Sequence, residues 1–259
     1  MRLELQNLCV GYGGGTVLQD VFAGFETGLL SAIVGRNGAG KSTLLRAMAG
    51  MLPIKGSASL DGAPIHALSG AQRAARIGYL PQRLRTPDMT VQTLVRHGRF
   101  SRLGFSKALG EDDREKIRHA LVLTGMTPLR HRTLPTLSGG ELQRAYCAMV
   151  IAQDPDFLLL DEPTAFLDAE ASIQLAQILR ALTRAGKGVV LSCHDLPLAF
   201  SIADRVLVLH GGALVLDAAP AQAARQEKTI FDAVGVRLKR IDDPDAFCTY
   251  ILAKPNDNT

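Results

Sequence analysis

The fold of this chain is decided by residues 35–43, which read Gly35-Arg36-Asn37-Gly38-Ala39-Gly40-Lys41-Ser42-Thr43. The stretch fits the phosphate-loop pattern G-x-x-x-x-G-K-[ST]. Residues 29–34 before it form an apolar run of strand type, and residues 44–49 after it have a helical composition. Because a phosphate loop joins a strand to a helix, we prefer this interpretation to a glycine-rich turn with a surface lysine.

The residue types of this loop match the needs of a triphosphate. Backbone N–H groups must approach the phosphates closely, and glycines leave room for that approach and for unusual backbone angles. The helix behind the loop directs its positive N-terminal end at the same phosphates. We expect Lys41 to reach the β- and γ-phosphates and Ser42 to offer its hydroxyl to Mg²⁺.

The bulk composition is that of an ordinary globular protein, since 47% of the residues are hydrophobic, 21% are charged and 5% are aromatic. The 259 residues can bury a large core, in one α/β domain or in a main domain with a lobe. No apolar run approaches the ~20 residues that cross a bilayer, and residues 1–6 lack the apolar segment of a secretion signal. We therefore expect a cytosolic chain. The net charge of +4 by itself identifies no partner.

The cysteines are scattered, with no C-x-x-C pair and no histidine at ligand spacing: Cys9, Cys147, Cys193 and Cys248. This spacing argues against a zinc site or a disulfide framework. We expect all four to be small core residues.

The N-terminal third reads as strands and turns. Residues 3–10 begin with apolar and polar alternation and predict a strand, which the glycines of residues 11–15 then break. Residues 17–25 predict a second strand, at an antiparallel edge ahead of the phosphate loop. Two interpretations of Tyr12 remain open on the residues alone, a surface aromatic or a ring on which adenine stacks.

A small β unit and a short strand come next. Residues 56–68 are centred on the turn Asp61-Gly62, and residues 77–80 form a strand that ends at Pro81-Gln82. On its own, a glutamine in this position is an ordinary loop residue.

Residues 86–135 change character, because strand-like runs disappear and helical patterns replace them. One helix opens at Glu111 with acids in its first turn and basic residues later, the order that the helix dipole favours. Five arginines just before and within the start of this region form a basic cluster: Arg83, Arg85, Arg96, Arg99 and Arg102. Since no stacking aromatics are interleaved with them, we expect a solvated face or a docking surface near membrane phospholipid, and no nucleic acid.

Two later segments bring further polar groups to strand or helix ends. Ser138 is followed by Gly139 and Gly140 at the start of a predicted helix, which gives a second helix N-terminus able to bind an anion. Residues 157–160 predict a buried parallel strand that ends in Asp161 and Glu162. We expect Asp161 to hold Mg²⁺ or its water shell, and Glu162 to act as the base that orients or deprotonates the attacking water.

Residues 188–193 predict another buried strand, with His194 at its end. A lone histidine is more often structural than catalytic, but this one shares the strand-end edge with Asp161, so a contact to the γ-phosphate is the alternative we favour. Residues 205–216 predict a terminal hairpin with a turn at Gly211-Gly212, and a helix and a possible strand pair follow. We expect residues 254–259 to fray.

Taken in order, GRNGAGKST, YLPQ, LSGGE, FLLLDEP, AFLD and SCHD resemble the ATP-binding cassette (ABC) ATPases, from about Leu3 to Asp217. The specific element is LSGGE, which GTPases, kinases and RecA-like ATPases do not carry. The resemblance implies an α/β fold with a P-loop NTPase core, a mixed central sheet, an N-terminal antiparallel β subdomain and a helical insertion. It implies one domain, with the core at about residues 1–85 and 155–217, the helical part at 86–154 and a C-terminal extension at 218–259.

The resemblance also assigns roles to single residues. Tyr12 matches the adenine-stacking aromatic, and residues 35–43 match the Walker A loop, which binds ATP. Gln82 matches the Q-loop glutamine, a metal and catalytic residue, and His194 matches the switch histidine. The remaining matches are Ser138, Gly139, Gly140 and Glu141 in the signature, Asp161 and Glu162 in Walker B, and Asp168 in the D-loop at the subunit contact.

In this family the signature of one cassette covers the nucleotide held by the Walker A loop of another, so the resemblance implies a second copy of the chain. The sequence departs from the family at two places. Glu141 replaces the more frequent Gln, and Ala165-Phe166 replaces the Ser-Ala common before the D-loop. Neither change removes a phosphate or metal ligand, although the second could alter contacts between subunits.

YLPQ, MTVQTLVRHGRF and LSGGELQRAYCAMVIAQD are similar to the cassettes of bacterial importers for iron–siderophore complexes, haem and cobalamin. This implies an ATP- and Mg²⁺-dependent motor at the cytoplasmic face of the membrane, with separate permease subunits and, indirectly, a substrate-binding protein. An exporter motor is the alternative that the motor motifs leave open. A soluble ABC protein acting on ribosomes or DNA is disfavoured, because the chain has one cassette and no sustained heptads.

Overall fold

The apolar run before the phosphate loop forms strand β3 (Leu30–Val34), all of whose residues are buried. In the computed structural model, which describes residues 1–13, 15–100, 108–165, 167–241 and 247–253, this strand lies inside a six-stranded sheet. The strand order is β10 (Ala213–Ala218), β9 (Arg205–His210), β3, β8 (Gly188–Ser192), β7 (Phe157–Asp161) and β6 (Ile77–Leu80).

The strands of this sheet are parallel except β10, which runs antiparallel to β9. The predicted mixed central sheet is therefore confirmed. Because parallel strands end at one edge, the residues that follow β3, β6, β7 and β8 meet there. These are the segments in which the sequence places its polar motifs.

A second sheet is antiparallel and has the order β2 (Gly15–Glu26), β1 (Arg2–Tyr12), β4 (Lys55–Leu60) and β5 (Ala63–Pro64). The prediction that glycines break the first strand at residue 11 is wrong, since Gly11 pairs with Thr16 and Tyr12 pairs with Gly15. A Cβ atom at Gly11 would lie 2.3 Å from the Gly15 carbonyl oxygen, so glycine lets the two strands approach instead of ending them. Gly14 lies outside the described residues.

The helices in chain order are α1 (Lys41–Met48), α2 (Gly70–Arg76), α3 (Val91–His97), α4 (Glu111–Leu123), α5 (Gly139–Ala152), α6 (Ala169–Arg184), α7 (Leu196–Ile202), α8 (Pro220–Ala224) and α9 (Glu227–Val234). Short 3-10 helices span Ile65–Ala67, Thr127–Leu129 and Leu134–Thr136.

The central sheet separates two apolar cores. Along β7, Phe157 and Leu159 face the core shared with α1 and the antiparallel sheet, whereas Leu158 and Leu160 face the core shared with α6 and α7. This alternation is the two-residue period of a strand, and burial on both faces explains why β7 is continuously apolar.

The predicted helical insertion is confirmed, because α3, α4 and α5 enclose an apolar cluster of their own. The predicted solvated basic face is wrong for Arg99, which is 1% exposed. Its Nε atom lies 2.8 Å from Asp113 Oδ1, and its Nη1 atom donates to the Ala152 carbonyl oxygen at 2.9 Å. Arg99 thus joins α4 to the end of α5. Arg83, Arg85 and Arg96 are exposed, and Arg102 lies outside the described residues.

The C-terminal part follows the prediction closely. Strands β9 and β10 form the expected hairpin, and after α9 the strand β11 (Arg237–Arg240) pairs with β12 (Tyr250–Ala253). Residues 254–259, for which fraying is predicted, lie outside the described part of the chain.

The expectation of four core cysteines holds for two of them. Cys147 and Cys193 are buried, whereas Cys9 and Cys248 are only partly buried. Cys9 lies near the surface of β1, where its sulfur accepts a hydrogen bond from the Asp20 N–H at 3.4 Å.

Candidate active site

The phosphate loop is a backbone cradle between β3 and α1. Gly40 has φ 101°, and a Cβ atom there would lie 2.6 Å from Leu18 Cδ2. Gly35 is equally restricted, because its Cβ atom would lie 2.4 Å from the Leu209 carbonyl oxygen. Only glycine fits these two positions, so the loop can turn tightly and present its N–H groups at the start of α1.

Lys41 is the first residue of α1, and its ammonium group folds back over the loop. Nζ donates to the carbonyl oxygens of Gly35 at 2.9 Å and Arg36 at 3.3 Å. Burial lowers the pKa of Lys41, and the nearby Glu162 and Asp161 carboxylates oppose that shift. The ammonium is thus held where phosphate oxygens bound in the loop would replace the carbonyl oxygens as its partners.

Asp161 ends β7 and is fully buried. Its Oδ1 atom accepts hydrogen bonds from Ser42 Oγ at 2.9 Å and from Ser192 Oγ at 2.8 Å. Its Oδ2 atom lies 3.4 Å from the Tyr79 hydroxyl. A carboxylate and a serine hydroxyl beside a phosphate cradle are the hard oxygen donors that Mg²⁺ prefers, so the donor set fits this ion.

Glu162 follows directly and has a φ of 52°, a left-handed conformation that is unusual for a residue other than glycine. Its backbone N–H donates to Ser192 Oγ at 2.9 Å. Its carboxylate accepts a hydrogen bond from Gln82 Nε2 and contacts His194 Nε2. The structure therefore brings together the three side chains predicted to be catalytic. Gln82, predicted to be a metal residue as well, contacts Glu162 through its amide.

These residues surround a cavity of about 450 Å³. Its lining consists of Val17, Asn37, Gly38, Gly40, Lys41, Ser42, Thr43, Gln82, Glu162 and His194. The loop glycines, the ammonium and the strand-end acid thus face one space, and this arrangement suits the triphosphate of a nucleotide and a water molecule beside it.

A larger cavity, of about 770 Å³, lies in the helical region and includes Arg96, Arg114 and Arg118 in its lining. It includes no residue of the phosphate loop. Arg114 and Arg118 are already paired with Glu111. We therefore take the smaller cavity, which contains the phosphate loop and Glu162, as the candidate active site.

The signature segment forms the capped start of α5 and lies outside this cavity. Ser138 Oγ accepts from the Glu141 N–H at 3.2 Å, and Glu141 Oε2 accepts from the Ser138 N–H at 2.8 Å. This reciprocal pair caps α5. The hydrogen bond from the Ser138 N–H is the main cause of the lowered pKa of Glu141. Ser138, Gly139, Gly140 and Glu141 are all absent from the cavity lining of their own chain.

Two other predicted residues also lie outside the cavity. Tyr12 is 47% exposed at the end of β1, where it interacts with Arg46. Asp168 caps α6 by accepting from the Ala171 N–H at 2.8 Å, and with Arg144 it lines a groove of about 680 Å³. Phe166, one of the departures from the family pattern, lies outside the described residues.

Sequence reasoning did not single out Ser192 or Tyr79, although both contact Asp161. The feature that could have identified Ser192 is the register of two parallel strands, in which Asp161 and Ser192 are paired. A serine at the end of an otherwise apolar buried strand, opposite a buried acid, predicts a hydrogen bond.

The order of loop, capped helix and strand-end acids along the chain matches a known family. Residues 18–165, more than half of the chain, match the family model described as ABC transporter. The chain belongs to the ABC transporter family. The ABC ATPase fold expected from the sequence is confirmed, as a solved neighbour also indicates. That neighbour, cbiO1 of Clostridium perfringens, part of the ABC transporter complex cbiONQ, is 27% identical with a TM-score of 0.76, over 88% of this chain and 92% of that one.

Curated members of the ABC transporter family resemble this chain over almost their whole length. The ferric enterobactin transport ATP-binding protein FepC of Escherichia coli (strain K12) is 39% identical over 95% of this chain and 91% of its own. The hemin import ATP-binding protein HmuV of Burkholderia pseudomallei (strain 1710b) is 37% identical over 96% of this chain and 99% of its own. Within the described residues, this ABC protein has no helix with the length and apolar character needed to cross a membrane.

Proposed function

We propose that this protein is the ATP-hydrolysing motor subunit of an ABC importer that takes up an iron complex, a ferric siderophore or haem, or cobalamin. The observation that carries the proposal is the meeting of Glu162, Gln82 and His194 above the phosphate loop, at the carboxyl edge of the central sheet. The names of two relatives, a ferric enterobactin transport ATP-binding protein and a hemin import ATP-binding protein, support the substrate class.

In this proposal residues 35–43 bind the phosphates of ATP through backbone N–H groups, and Lys41 neutralises the β- and γ-phosphates. Ser42 and Asp161 would hold Mg²⁺, and Gln82 would reach its water shell. The ion would supply charge neutralisation at the phosphate oxygens. The contact between Ser42 Oγ and Asp161 Oδ1 supports this assignment, because it places the two donors 2.9 Å apart.

Glu162 is the general base. Its carboxylate orients a water molecule and accepts a proton from it. The water oxygen then attacks the γ-phosphorus in line with the bond to the β–γ bridging oxygen, which breaks as ADP leaves. His194 and Gln82 hold the carboxylate from two sides. His194 is 45% exposed whereas Glu162 is 10% exposed, so the imidazole stands at the mouth of the cavity, where it contacts the γ-phosphate.

A second copy of the chain completes each site. Ser138, Gly139, Gly140 and Glu141 present the start of α5 to the nucleotide in the partner subunit, which their position outside their own cavity supports. Asp168 lies at the contact between the copies, and Tyr12 stacks on adenine at the rim. Binding of two ATP molecules closes the pair, and hydrolysis opens it.

We divide the domain as the sequence suggests, into a core at about residues 1–85 and 155–217, a helical part at 86–154 and an extension at 218–259. The separate apolar cluster of the helical part supports this division. The helical part and the Gln82 loop pass the closing motion to permease subunits. The chain is thereby held at the cytoplasmic face of the membrane, and the permease receives its cargo from a substrate-binding protein.

The test uses a host strain in which the gene of this chain has been deleted. Under iron limitation, the deletion strain should fail to grow on one ferric siderophore or on haem as sole iron source, and the wild-type gene should restore growth. The Lys41→Ala gene, expressed at the same level, should not restore it. Growth of the deletion strain on every iron source, together with normal cobalamin uptake, contradicts the proposal.

A further inference from the structure

A single hydroxyl links the two adjacent acids of the site. Ser192 ends β8 and is fully buried. Its Oγ atom lies 2.8 Å from Asp161 Oδ1 and 2.9 Å from the backbone nitrogen of Glu162. A serine hydroxyl has one proton to give. Since the Glu162 N–H group can only donate, Ser192 accepts from Glu162 and gives its own proton to Asp161 Oδ1.

The backbone at Glu162 explains why this contact matters. Asp161 is the last residue of β7, and the chain turns out of the sheet at Glu162 with a φ of 52°. A residue other than glycine keeps a left-handed backbone conformation only where the surrounding structure stabilises it. The N–H of Glu162 is directed at Ser192 by this turn, and the same turn directs the carboxylate at Gln82 and His194.

We infer that Ser192 is a positioning residue for the general base, and this inference rests on the function proposed above. Its hydroxyl holds the Glu162 backbone in the left-handed turn and keeps Asp161 Oδ1 in place. If Ser42 offered its hydroxyl oxygen to a metal ion, Ser192 would remain as a donor to Asp161. Ser192 is fully buried and is not among the residues that line the cavity, so its effect on hydrolysis passes through the two acids.

Without the hydroxyl, the buried N–H of Glu162 would lose its partner and the turn would lose its support. The carboxylate would then sample other directions, whereas the phosphate loop and Lys41 would keep their contacts. The loss should therefore appear in kcat and not in KM for ATP.

The test compares three variants with the wild-type chain. Ser192→Ala removes the hydroxyl, and Ser192→Thr keeps it. Ser201→Ala is the matched control, because Ser201 Oγ also makes two hydrogen bonds, donating to the Pro197 carbonyl at 2.6 Å and accepting from the Thr249 N–H at 2.9 Å. If Ser192→Ala does not fold, Ser192→Cys replaces it, since a thiol fills the space but hydrogen-bonds weakly.

Two measurements are made on each variant. For Ser192→Ala we expect kcat for ATP hydrolysis to fall by about tenfold or more, with KM changed by less than about twofold. In the nucleotide-free chain, we expect hydrogen exchange of the Glu162 amide, followed by NMR, to become at least about tenfold faster. Ser192→Thr should keep both values close to wild type, and Ser201→Ala should lower only the melting temperature.

The outcomes separate the inference from the proposed function. If the wild-type chain hydrolyses ATP and Ser192→Ala has an unchanged kcat, the inference is overturned. It is also overturned if kcat falls while the Glu162 amide stays fully protected, because the loss would then have another cause. If the wild-type chain does not hydrolyse ATP at all, the proposed function fails, and the exchange measurement alone decides whether Ser192 holds the turn.

Discussion

In the proposed function, Glu162 is the residue at which nucleotide binding and hydrolysis can be separated by a substitution. Glu162→Gln keeps an oxygen that can accept from Gln82 but removes the ability to take a proton from water. We expect phosphate release to slow by about 10²–10⁴-fold, which corresponds to roughly 3–5 kcal/mol of barrier, and the affinity for ATP to stay nearly unchanged. Phosphate-release kinetics and titration with a fluorescent ATP analogue measure the two quantities.

The control for this experiment is Glu115→Gln, because Glu115 is an exposed acid on α4 that pairs only with solvent-facing Arg118 among its ion-pair contacts in the described residues. It should change neither quantity. A Glu162→Gln chain that hydrolyses ATP at the wild-type rate would exclude Glu162 as the base.

Residues whose role follows from their place at a strand end could be predicted from the sequence. Asp161, Glu162 and His194 each follow an apolar run, and parallel strands end at one edge, so their meeting is predictable. The contacts of Ser192 and Arg99 could not be predicted in this way. Both contacts depend on which strand or helix lies alongside, and a run of arginines in the sequence does not show that Arg99 points inward to Asp113.

At the scale of helices, Arg99 connects α4 to the end of α5 through its buried ion pair with Asp113 and its hydrogen bond to the Ala152 carbonyl. Arg99→Met would leave Asp113 without the guanidinium and the carbonyl of Ala152 without its donor. We expect a loss of about 3–5 kcal/mol in the free energy of unfolding, measured in urea. The exposed neighbour Arg96→Met is the control and should change it by less than about 0.5 kcal/mol. Equal stability of the two variants would show that the pair contributes nothing.

The cap of α5 predicts a pH dependence. The folded-state pKa of Glu141 is lowered, chiefly because the Ser138 N–H donates to its carboxylate. A lowered pKa means that the contribution to stability is complete above the unfolded pKa of about 4.3 and is lost as the pH falls through the folded value. Glu141→Gln cannot titrate. The melting temperature of the wild-type chain should therefore be higher than that of the variant at about pH 6–8. This difference in melting temperature should shrink below about pH 4. A difference that is independent of pH contradicts this account.

Element type was predictable where the apolar pattern is strong. The strand before each acid and the helices that begin at Glu111 and Gly139 agree with the sequence, because the period of burial and the capping residues are local features. The end of β1 was not predictable in the same way. Glycines normally interrupt strands, but here Gly11 allows a close approach to Gly15, which is a property of two strands together.

For the whole molecule, the decisive feature is that the start of α5 lies outside the cavity of its own chain. Gly139 is exposed there and follows the capping residue Ser138. Gly139→Glu places a negative charge at a helix N-terminus, where the helix dipole favours it, so folding should not suffer. If this helix end covers the phosphates held by a second copy, the same charge will repel them.

In a Glu162→Gln background, we expect Gly139→Glu to leave the ATP affinity of the single chain within about twofold of its parent. ATP-driven dimerisation, followed by analytical ultracentrifugation, should weaken by about tenfold or more, or about 1.4 kcal/mol. Gly70→Glu is the matched control, because Gly70 also follows a serine in a capping box and has open space around its Cβ position. It should dimerise like the parent. Dimerisation that Gly139→Glu leaves unchanged would mean that α5 does not face the partner's nucleotide, and the two-copy site would have to be abandoned.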